Sequence, residues 1–292
     1  MKGAVDKYKA EANVARLCKA VGLPRSEYYY YRSTEEKRDA RRKRDEACAK
    51  LIKEAFDSYK WRKKGSRTLK MVLERDFDTI YSRKKIQRLM RLFNIVCPMK
   101  TSNPYRDIWK ATKEDKVAPN LVRFNFKPSE ARVQFHTDIT YIKHRGHFSY
   151  LCAIIDAKTN EPVAHKVSTS LKMDFVMETL KQLEQCGYKK GAIINSDQGV
   201  HFTSKEFRAK VKQIGLVQSM GYRGNCLCNS PIESFWGHMK QEMEIDRNAS
   251  DEEIEKAIDE YMEYYRHNRY QKGLNGMTPY EYGQSLLKPQ GD

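Results

Sequence analysis

The sequence predicts a basic all-α region followed by an α/β domain with a mixed sheet. The net charge of +17 lies almost wholly in residues 1–110, which hold 30 Lys and Arg against 14 Asp and Glu. Four of the nine prolines fall within residues 98–128, where they disfavour long regular elements. Beyond this linker the apolar residues change from a helical spacing to the alternation that is typical of strands. The chain therefore divides into a helical part and a sheet-containing part.

Length and composition exclude several classes of protein. A chain of 292 residues with 40% hydrophobic and 32% charged residues fits a soluble globular protein of one to three domains. No apolar run approaches the roughly 18 residues that a membrane span needs, and the first residues lack the apolar segment of a signal peptide. Seven scattered cysteines do not form a secreted disulfide framework. We expect a reducing, cytoplasmic compartment and no membrane partner.

The uneven charge indicates a polyanionic partner. Outside residues 1–110, the remaining 182 residues hold 25 Lys and Arg against 24 Asp and Glu. A basic region joined to a near-neutral body is typical of a nucleic-acid-binding module attached to a separate domain. Binding to a membrane surface, or a solvated basic face without a partner, stays open as an alternative.

The basic region contains two predicted helical units. Residues 1–44 have the outline of a helix-turn-helix, because Gly22 ends one apolar stripe and Pro24 fits the start of the next helix. Residues 45–97 form a second basic unit, in which Ser82 is a predicted helix cap. One face of the helix after Ser82 has the composition of a DNA-recognition helix, with Arg83, Lys84, Lys85, Gln87, Arg88 and Arg91. A solvated helix face without DNA contacts is the alternative.

Residues 129–245 form the predicted α/β domain. Their apolar pattern gives the element order βββαβαβα, which predicts a mixed five-stranded sheet. The strands are predicted at 131–143, 148–156, 161–167, 192–195 and 215–219, and the helices at 172–186, 203–214 and 231–243. Residues 246–292 follow as a helix, which a capping box at Ser250 opens, and a basic, aromatic tail.

Three acidic residues lie where α/β domains place their chemistry. Asp138 lies within a strand, Asp197 follows a buried strand, and Glu233 lies in the first turn of a helix. A carboxylate in a central strand is costly unless a cation compensates it. Three converging carboxylates form an oxygen-rich site for Mg²⁺ or Mn²⁺, and a pair of such ions catalyses phosphodiester chemistry. Taken singly, Asp197 also fits a turn, and Glu233 fits a favourable helix-start charge.

The spacing of the acidic residues favours one site. Asp197 and Glu233 are separated by 35 residues, and Lys240 lies seven residues after Glu233. Seven residues are two helical turns, so Lys240 shares the helix face of Glu233. From that face, Lys240 can contact a DNA phosphate beside the carboxylates.

Several linked motifs resemble a known family. The chain is similar to the second reading frame, OrfB, of IS-three-type bacterial insertion-sequence transposases, whose catalytic core is similar to retroviral integrase. The resemblance spans nearly the whole chain and includes the helix-turn-helix region at residues 66–97. The motifs that carry it are CKAVGLPRSEYYYYR (18–32), HTDITY (136–141), NSDQGVHFTS (195–204), GYRGNCLCNSPIESFWGHMK (221–240) and YYRHNRYQKGLNGMTPYEY (264–282).

The resemblance implies an RNase H-like fold with a DDE triad of Asp138, Asp197 and Glu233, and with Lys240 as the downstream basic residue. It implies a pair of Mg²⁺ or Mn²⁺ ions, cleavage of a DNA strand at the element end, and joining of its 3′-hydroxyl to another strand. The expected partners are double-stranded DNA at the terminal inverted repeats and at the target, further copies of the chain, and the upstream-frame product OrfA or a frameshift fusion with it. A bacterial, nucleoid-associated protein is expected.

Two positions depart from the family pattern. Asn195 stands where the family often has His, and Cys228 stands where it usually has Asp. Neither belongs to the triad. A non-catalytic DNA-binding protein derived from a transposase, and a nuclease of the same fold that cleaves without joining, stay open as alternative functions.

Other metal-binding patterns in the sequence are weak. Cys226 and Cys228 form a C-x-C, with His201 and His238 as candidate further ligands. This spacing is unusual for zinc and instead predicts free thiols. His144 and His147 are predicted to flank a hairpin turn rather than to bind a metal.

Overall fold

The structure is a computed structural model that describes residues 2–58, 64–97, 117–222 and 226–287. Within these ranges, helices form the N-terminal third, and a five-stranded sheet with helices on both faces forms most of the rest. The N-terminal helices are α1 (Lys2–Tyr8), α2 (Val14–Ala20), α3 (Arg25–Ser33), α4 (Glu35–Asp57), α5 (Ser66–Asp76) and α6 (Arg83–Leu92). The strands are β1 (Gln134–His144), β2 (His147–Asp156), β3 (Pro162–Ser168), β4 (Ile193–Ser196) and β5 (Val217–Met220). The later helices are α7 (Asp174–Cys186), α8 (Val200–Thr203), α9 (Lys205–Gln213), α10 (Ser230–Glu242), α11 (Asp251–His267) and α12 (Pro279–Leu287), with 3₁₀ turns at Cys226–Asn229 and Lys272–Leu274.

The sheet is mixed, which confirms the predicted fold class. Its strand order is β3-β2-β1-β4-β5. β2 lies between β1 and β3 and is antiparallel to both. β4 is parallel to both β1 and β5. All five predicted strands are present, with ends shifted by at most three residues. The parallel pairing places the start of the central strand β1 beside β4, which is distant in the sequence.

Helices cover both faces of the sheet. Side chains alternate along β1, so Phe135 faces one side while Asp138 and Ile142 face the other. Phe135 packs in the hydrophobic cluster that α7 and α9 complete. Ile142 packs in the cluster that contains Phe235 of α10 and Ile258 of α11. Asp138 therefore lies on the face of the sheet that α10 and α11 cover.

One long helix joins the two predicted helical units of the basic region. α4 runs without interruption for 23 residues, so it includes the charge-rich residues 35–44 and the apolar stripe after them. α5 and α6 pack on its second half around the fully buried Ile52 and Ile86. Ser82 caps α6 as predicted, because its Oγ accepts a hydrogen bond from the Lys85 backbone N–H at 3.2 Å.

The C-terminal segment contacts both parts of the chain. Ser250 opens α11 with the predicted capping box, in which its side chain and that of Glu253 exchange hydrogen bonds with each other's backbone. After α11, Tyr270 packs against the hydrophobic cluster of α4, α5 and α6. The Tyr270 hydroxyl also donates a hydrogen bond to Asp76 of α5 at 2.7 Å. The aromatic tail thus fastens the sheet domain to the basic helices.

The described helices include none that is long and apolar enough to cross a membrane. The six cysteines whose side chains are described are free thiols, as the sequence predicts. The seventh, Cys226, has a side chain outside the described part of the structure.

Candidate active site

Asp138 lies in the middle of β1, half-buried beneath α10. The buried indole N–H of Trp236 donates a hydrogen bond to its Oδ2 at 2.9 Å. Desolvation, as the largest cause, and the charges of Asp197 and Glu233 together raise the pKa of Asp138 to about 8, although the hydrogen bond from Trp236 opposes this rise. Both of the other predicted acidic residues therefore lie close enough to act on Asp138.

Asp197 directly follows β4, at the carboxyl end of that strand. In the parallel pairing of β1 and β4, His136 lies opposite Asn195. Asp138 and Asp197 each come two residues after that pair, so the parallel register directs these two segments of chain towards the same end of the sheet. Desolvation raises the pKa of the Asp197 carboxyl, and a hydrogen bond from the Gly199 backbone N–H to Oδ1, at 2.9 Å, opposes that rise.

Glu233 and Lys240 reach the same place from α10. Glu233 is exposed in the first turn of this helix, and Lys240 is exposed two turns later. Desolvation lowers the pKa of the Lys240 ammonium, and the charge of Asp138 opposes that change. The structure therefore brings all four of these predicted residues into one electrostatic neighbourhood.

A buried polar network, which the sequence did not reveal, holds the four supporting elements together. His136 Nδ1 lies 3.1 Å from Asn229 Oδ1, and the Asn229 side-chain amide donates to the Thr137 carbonyl at 3.1 Å. The Asn195 amide lies 3.4 Å from the same Asn229 oxygen, and the Ser219 hydroxyl donates to Asn195 Oδ1 at 2.9 Å. These contacts tie β1, β4, β5 and the start of α10 to one another. The polar residues beside Asp138 and Asp197 in otherwise apolar strands are the signal that could have indicated it.

His136 is neutral in this network. The Nδ1–H of His136 donates a hydrogen bond to Asn229 Oδ1, while Nε2 accepts a hydrogen bond from the Gln134 side-chain amide at 3.3 Å. The His136 ring is fully buried, and this burial lowers its pKa to about 4.

We expect the free energy of unfolding to fall as the pH is lowered from about 6.5 to about 4, because unfolded His136 takes up a proton that the folded chain excludes. The stabilisation is complete above the ordinary histidine pKa. The difference between the folded and unfolded pKa values corresponds to roughly 3 kcal/mol. Denaturant unfolding at several pH values measures this dependence. The variant His136→Gln should show a shallower slope in this range, and an identical slope would contradict the assignment.

Models of known families match most of the chain. An integrase core domain matches residues 128–226, a second integrase core domain matches residues 233–287, and an HTH-like domain matches residues 43–102. An uncharacterized transposase-like protein of Haemophilus influenzae is 32% identical over 200 residues, which cover 68% of this chain and 91% of that protein. The chain belongs to the insertion-sequence transposases with an integrase core.

A relative that matches nearly the whole chain belongs to the same family. The putative transposase InsK for insertion sequence element IS150 of Escherichia coli is 29% identical over 276 residues, or 94% of each chain. Among solved structures, the HTLV-2 integrase catalytic core domain in complex with magnesium is 15% identical, with a TM-score of 0.41 over 54% of this chain and 99% of that chain. The family models and the transposase relatives confirm the predicted resemblance to insertion-sequence transposases.

In this transposase, α6 carries the predicted DNA-contact residues. Arg83, Lys84, Arg88 and Arg91 are exposed, and Lys85 and Gln87 are half-buried. Arg88 already forms a bidentate ion pair with Asp45 of α4, with both N–O distances at 2.7 Å. Lys85 Nζ lies 3.7 Å from the centre of the Tyr81 ring. Arg83, Lys84 and Arg91 therefore remain candidates for phosphate contacts, while the prediction for Arg88 competes with an internal ion pair.

The transposase places Cys228 in a tight, buried position. A side-chain carbon added at Gly221 would lie 2.5 Å from Cys228 Cβ, so these residues are in close contact. The Cys228 sulfur accepts hydrogen bonds from the Tyr222 backbone N–H at 3.4 Å and from the Asn120 amide at 3.9 Å. Both of these neighbours are donors. The Cys228 sulfur, which is the described half of the C-x-C pattern, thus has hydrogen-bonding partners. His201, a candidate further zinc ligand, instead has its Nε2 2.7 Å from the Leu171 carbonyl oxygen.

We expect Cys228→Asp to retain the fold and strand-joining activity, because both donors now directed at the sulfur would bind a carboxylate oxygen. The variant restores the residue that is usual in the family, and its activity should equal or exceed that of the parent chain. Cys228→Leu is the matched control. It has no acceptor and more bulk against Gly221, so it should lose stability by about 1–3 kcal/mol. A large loss of joining in Cys228→Asp would contradict this interpretation.

The structure confirms that His144 and His147 flank the hairpin turn, since β1 ends at the first and β2 begins at the second.

Proposed function

We propose that this transposase cleaves DNA at insertion-sequence ends and joins the 3′-hydroxyl to target DNA, with Asp138, Asp197 and Glu233 as its catalytic triad. One observation carries the proposal: Asp138 in β1, Asp197 after β4 and Glu233 in the first turn of α10 converge closely enough for both other charges to act on Asp138. These carboxylates come from a strand, a strand end and a helix, and the charge of Asp138 acts on Lys240 as well. Such convergence at the edge of an α/β sheet is typical of an active site.

The donor set fits Mg²⁺ or Mn²⁺. Three carboxylates supply the anionic oxygens that hard divalent ions prefer. Desolvation and like charges disfavour the ionised form of Asp138, so a cation at this position would compensate the cluster. When bound, a pair of such ions would activate the attacking oxygen and stabilise the leaving oxygen of a phosphodiester.

The other residues of the site orient these groups. Trp236 is a positioning residue, because its N–H fixes the carboxylate of Asp138. The Gly199 N–H does the same for Asp197. Lys240 contacts a phosphate of the bound strand and so directs the scissile bond towards the carboxylates. Removing Trp236 would leave the three acidic residues present but less well ordered.

We assign the steps of the reaction to separate parts of the chain. Residues 1–44 and 45–97 bind the element ends, residues 129–245 catalyse, and residues 246–292 connect the two parts. Of the predicted linker at 98–128, residues 98–116 lie outside the described part of the structure. The partners are double-stranded DNA at the terminal repeats and at the target, further copies of this chain, and the product of an upstream frame. Alignment of two DNA ends requires more than one copy of the catalytic part.

We expect Lys84→Ala and Arg91→Ala each to weaken duplex DNA binding across all sequences, because each removes one phosphate contact. The log–log dependence of affinity on salt should become shallower by about 0.9 per variant. Fluorescence anisotropy with the full chain at several salt concentrations measures both effects. Lys181→Ala, an exposed lysine on α7, is the matched control and should leave the slope unchanged. Equal slopes in all four proteins would contradict DNA binding through α6.

A strand-joining assay on labelled candidate element ends tests the function as a whole. Joined products in the presence of Mg²⁺ or Mn²⁺ support a transposase. Cleavage without joining would instead favour a nuclease, and binding without either reaction would favour a non-catalytic DNA-binding protein.

A further inference from the structure

Two imidazoles meet at the hairpin turn, far from the acidic cluster. His144 and His147 are paired across the turn between β1 and β2, and their ring centres are 4.4 Å apart. The His144 side chain is fully buried, whereas 47% of the His147 side chain is exposed. Asp138 lies six residues earlier on the same strand, which is about 20 Å. The pair therefore belongs to a different region from the candidate active site.

Asp251 brings a carboxylate to this pair from the start of α11. Its Oδ1 lies 3.0 Å from His147 Nε2 and 3.3 Å from His144 Nε2. One ligand atom from each of the three residues lies within 4.8 Å of the others. Tetrahedral zinc with bonds of about 2.0–2.1 Å separates its ligand atoms by roughly 3.3 Å. Two of the three separations are thus already close to those of a zinc site.

The orientation of His144 suits metal binding. Its Nδ1 lies 3.1 Å from the Ala249 carbonyl, which only accepts, so Nδ1 carries the proton and Nε2 presents a lone pair towards Asp251. A metal-bound histidine usually donates its other N–H in this way, which fixes the ring and its tautomer. The Ser149 hydroxyl now donates to Nε2 at 2.8 Å, and it would rotate away when a metal binds.

Without a metal, a hydrogen bond joins His147 and Asp251. His147 and Asp251 share a hydrogen bond that raises the pKa of the imidazole and lowers that of the carboxyl. A proton on Nε2 thus lies between the two ligand atoms that a divalent ion would join.

We propose that His144, His147 and Asp251 form a structural binding site for a divalent ion that prefers imidazole ligands, such as Zn²⁺. Two imidazoles and one carboxylate select Zn²⁺ or Co²⁺ over the Mg²⁺ that suits an all-carboxylate site. The ion would fasten the β1–β2 hairpin to the start of α11. This contact adds to the hydrogen bonds of Arg145 with the backbone carbonyls of Arg247 and Asn248. The ion would then add to the hydrophobic contacts that dock α11 on the sheet.

Calorimetric titration of the chelator-treated full chain with Zn²⁺ tests the proposal. All proteins in this test, including the reference called the parent here, carry Asp138→Asn and Asp197→Asn, so that the acidic cluster does not take up zinc. We expect one Zn²⁺ per chain, and a loss of affinity of more than about tenfold in His147→Gln and in Asp251→Asn. His165→Gln is the matched control. His165 of β3 forms a similar 2.8 Å pair with Asp259 of α11, but among the described residues this pair has no third metal ligand beside it.

The zinc-dependent shift of the thermal midpoint gives a second readout, because a histidine that does not bind the metal would leave this shift unchanged. Zn²⁺ should raise it in the parent and in the control variant, but not in His147→Gln. Because His147 is exposed, this variant should fold normally without metal, and circular dichroism checks that it does. Absence of zinc binding by the parent, or equal zinc affinity in the parent and in His147→Gln, would overturn the proposal.

Discussion

We expect Asp138→Asn, Asp197→Asn and Glu233→Gln each to abolish both DNA cleavage and strand joining. Each change keeps the shape of the side chain but removes an anionic oxygen from a site that depends on shared carboxylates. The loss should be on the order of a thousandfold or more, and similar for the single and combined variants, because the three residues act as one unit. Strand joining on a labelled element end, with Mg²⁺ or Mn²⁺ supplied, measures it.

DNA binding and stability are the controls for this experiment. Affinity for duplex DNA should survive in all three variants, because the basic helices are unchanged. Asp138→Asn should unfold at a temperature at least as high as that of the metal-free parent near pH 8. The fold raises the pKa of the Asp138 carboxyl, so ionisation of this group destabilises the native parent as the pH rises. The amide that replaces the carboxyl in Asp138→Asn does not ionise and avoids this loss. Lys240→Ala should have a milder effect, since it removes only a phosphate contact.

Two outcomes would contradict the triad. If Glu233→Gln retained near-parental joining, another acidic residue would have to complete the site. If all three variants unfolded or lost DNA binding, the carboxylates would have a structural role only.

The second large effect is expected at the ion pair between Glu242 and Arg269. The Glu242 carboxylate ends α10, and it accepts hydrogen bonds from Arg269 Nη2 at 2.7 Å and from the Tyr261 hydroxyl at 3.0 Å. Only 11% of either charged side chain is exposed. Arg269→Met should lower the free energy of unfolding by about 3–5 kcal/mol, because it leaves a buried carboxylate without its cation. Denaturant unfolding measures the change.

A double variant distinguishes the ion pair from simple loss of packing. Glu242→Leu combined with Arg269→Met removes both charges, so most of the lost stability should return. Lys166→Met is the exposed counterpart, since it breaks a 2.8 Å pair with Glu255 and should cost less than about 1 kcal/mol. If Arg269→Met were no more destabilising than Lys166→Met, the buried pair would not hold α10 to the C-terminal segment.

The sequence by itself predicted the elements and the type of domain. Strand alternation and helical stripes depend on which face of a single element is buried, and this information is local. The mixed sheet, the cap at Ser82 and the capping box at Ser250 were therefore all correctly predicted. The motifs around Asp138, Asp197 and Glu233 also indicated the transposase family before any contact between these residues was known.

Only the tertiary structure decided which side chains meet across long stretches of chain. Trp236 reaches Asp138 over 98 residues, and Arg88 reaches Asp45 over 43. Asp251 reaches His147 over 104 residues. Such contacts depend on strand register and on how a helix docks, and neither is encoded in the periodicity of one segment. Sequence patterns therefore identified the acidic residues of the site, while folding selected the residue that orients Asp138, the arginine that is not free for DNA, and the partner of the hairpin histidines.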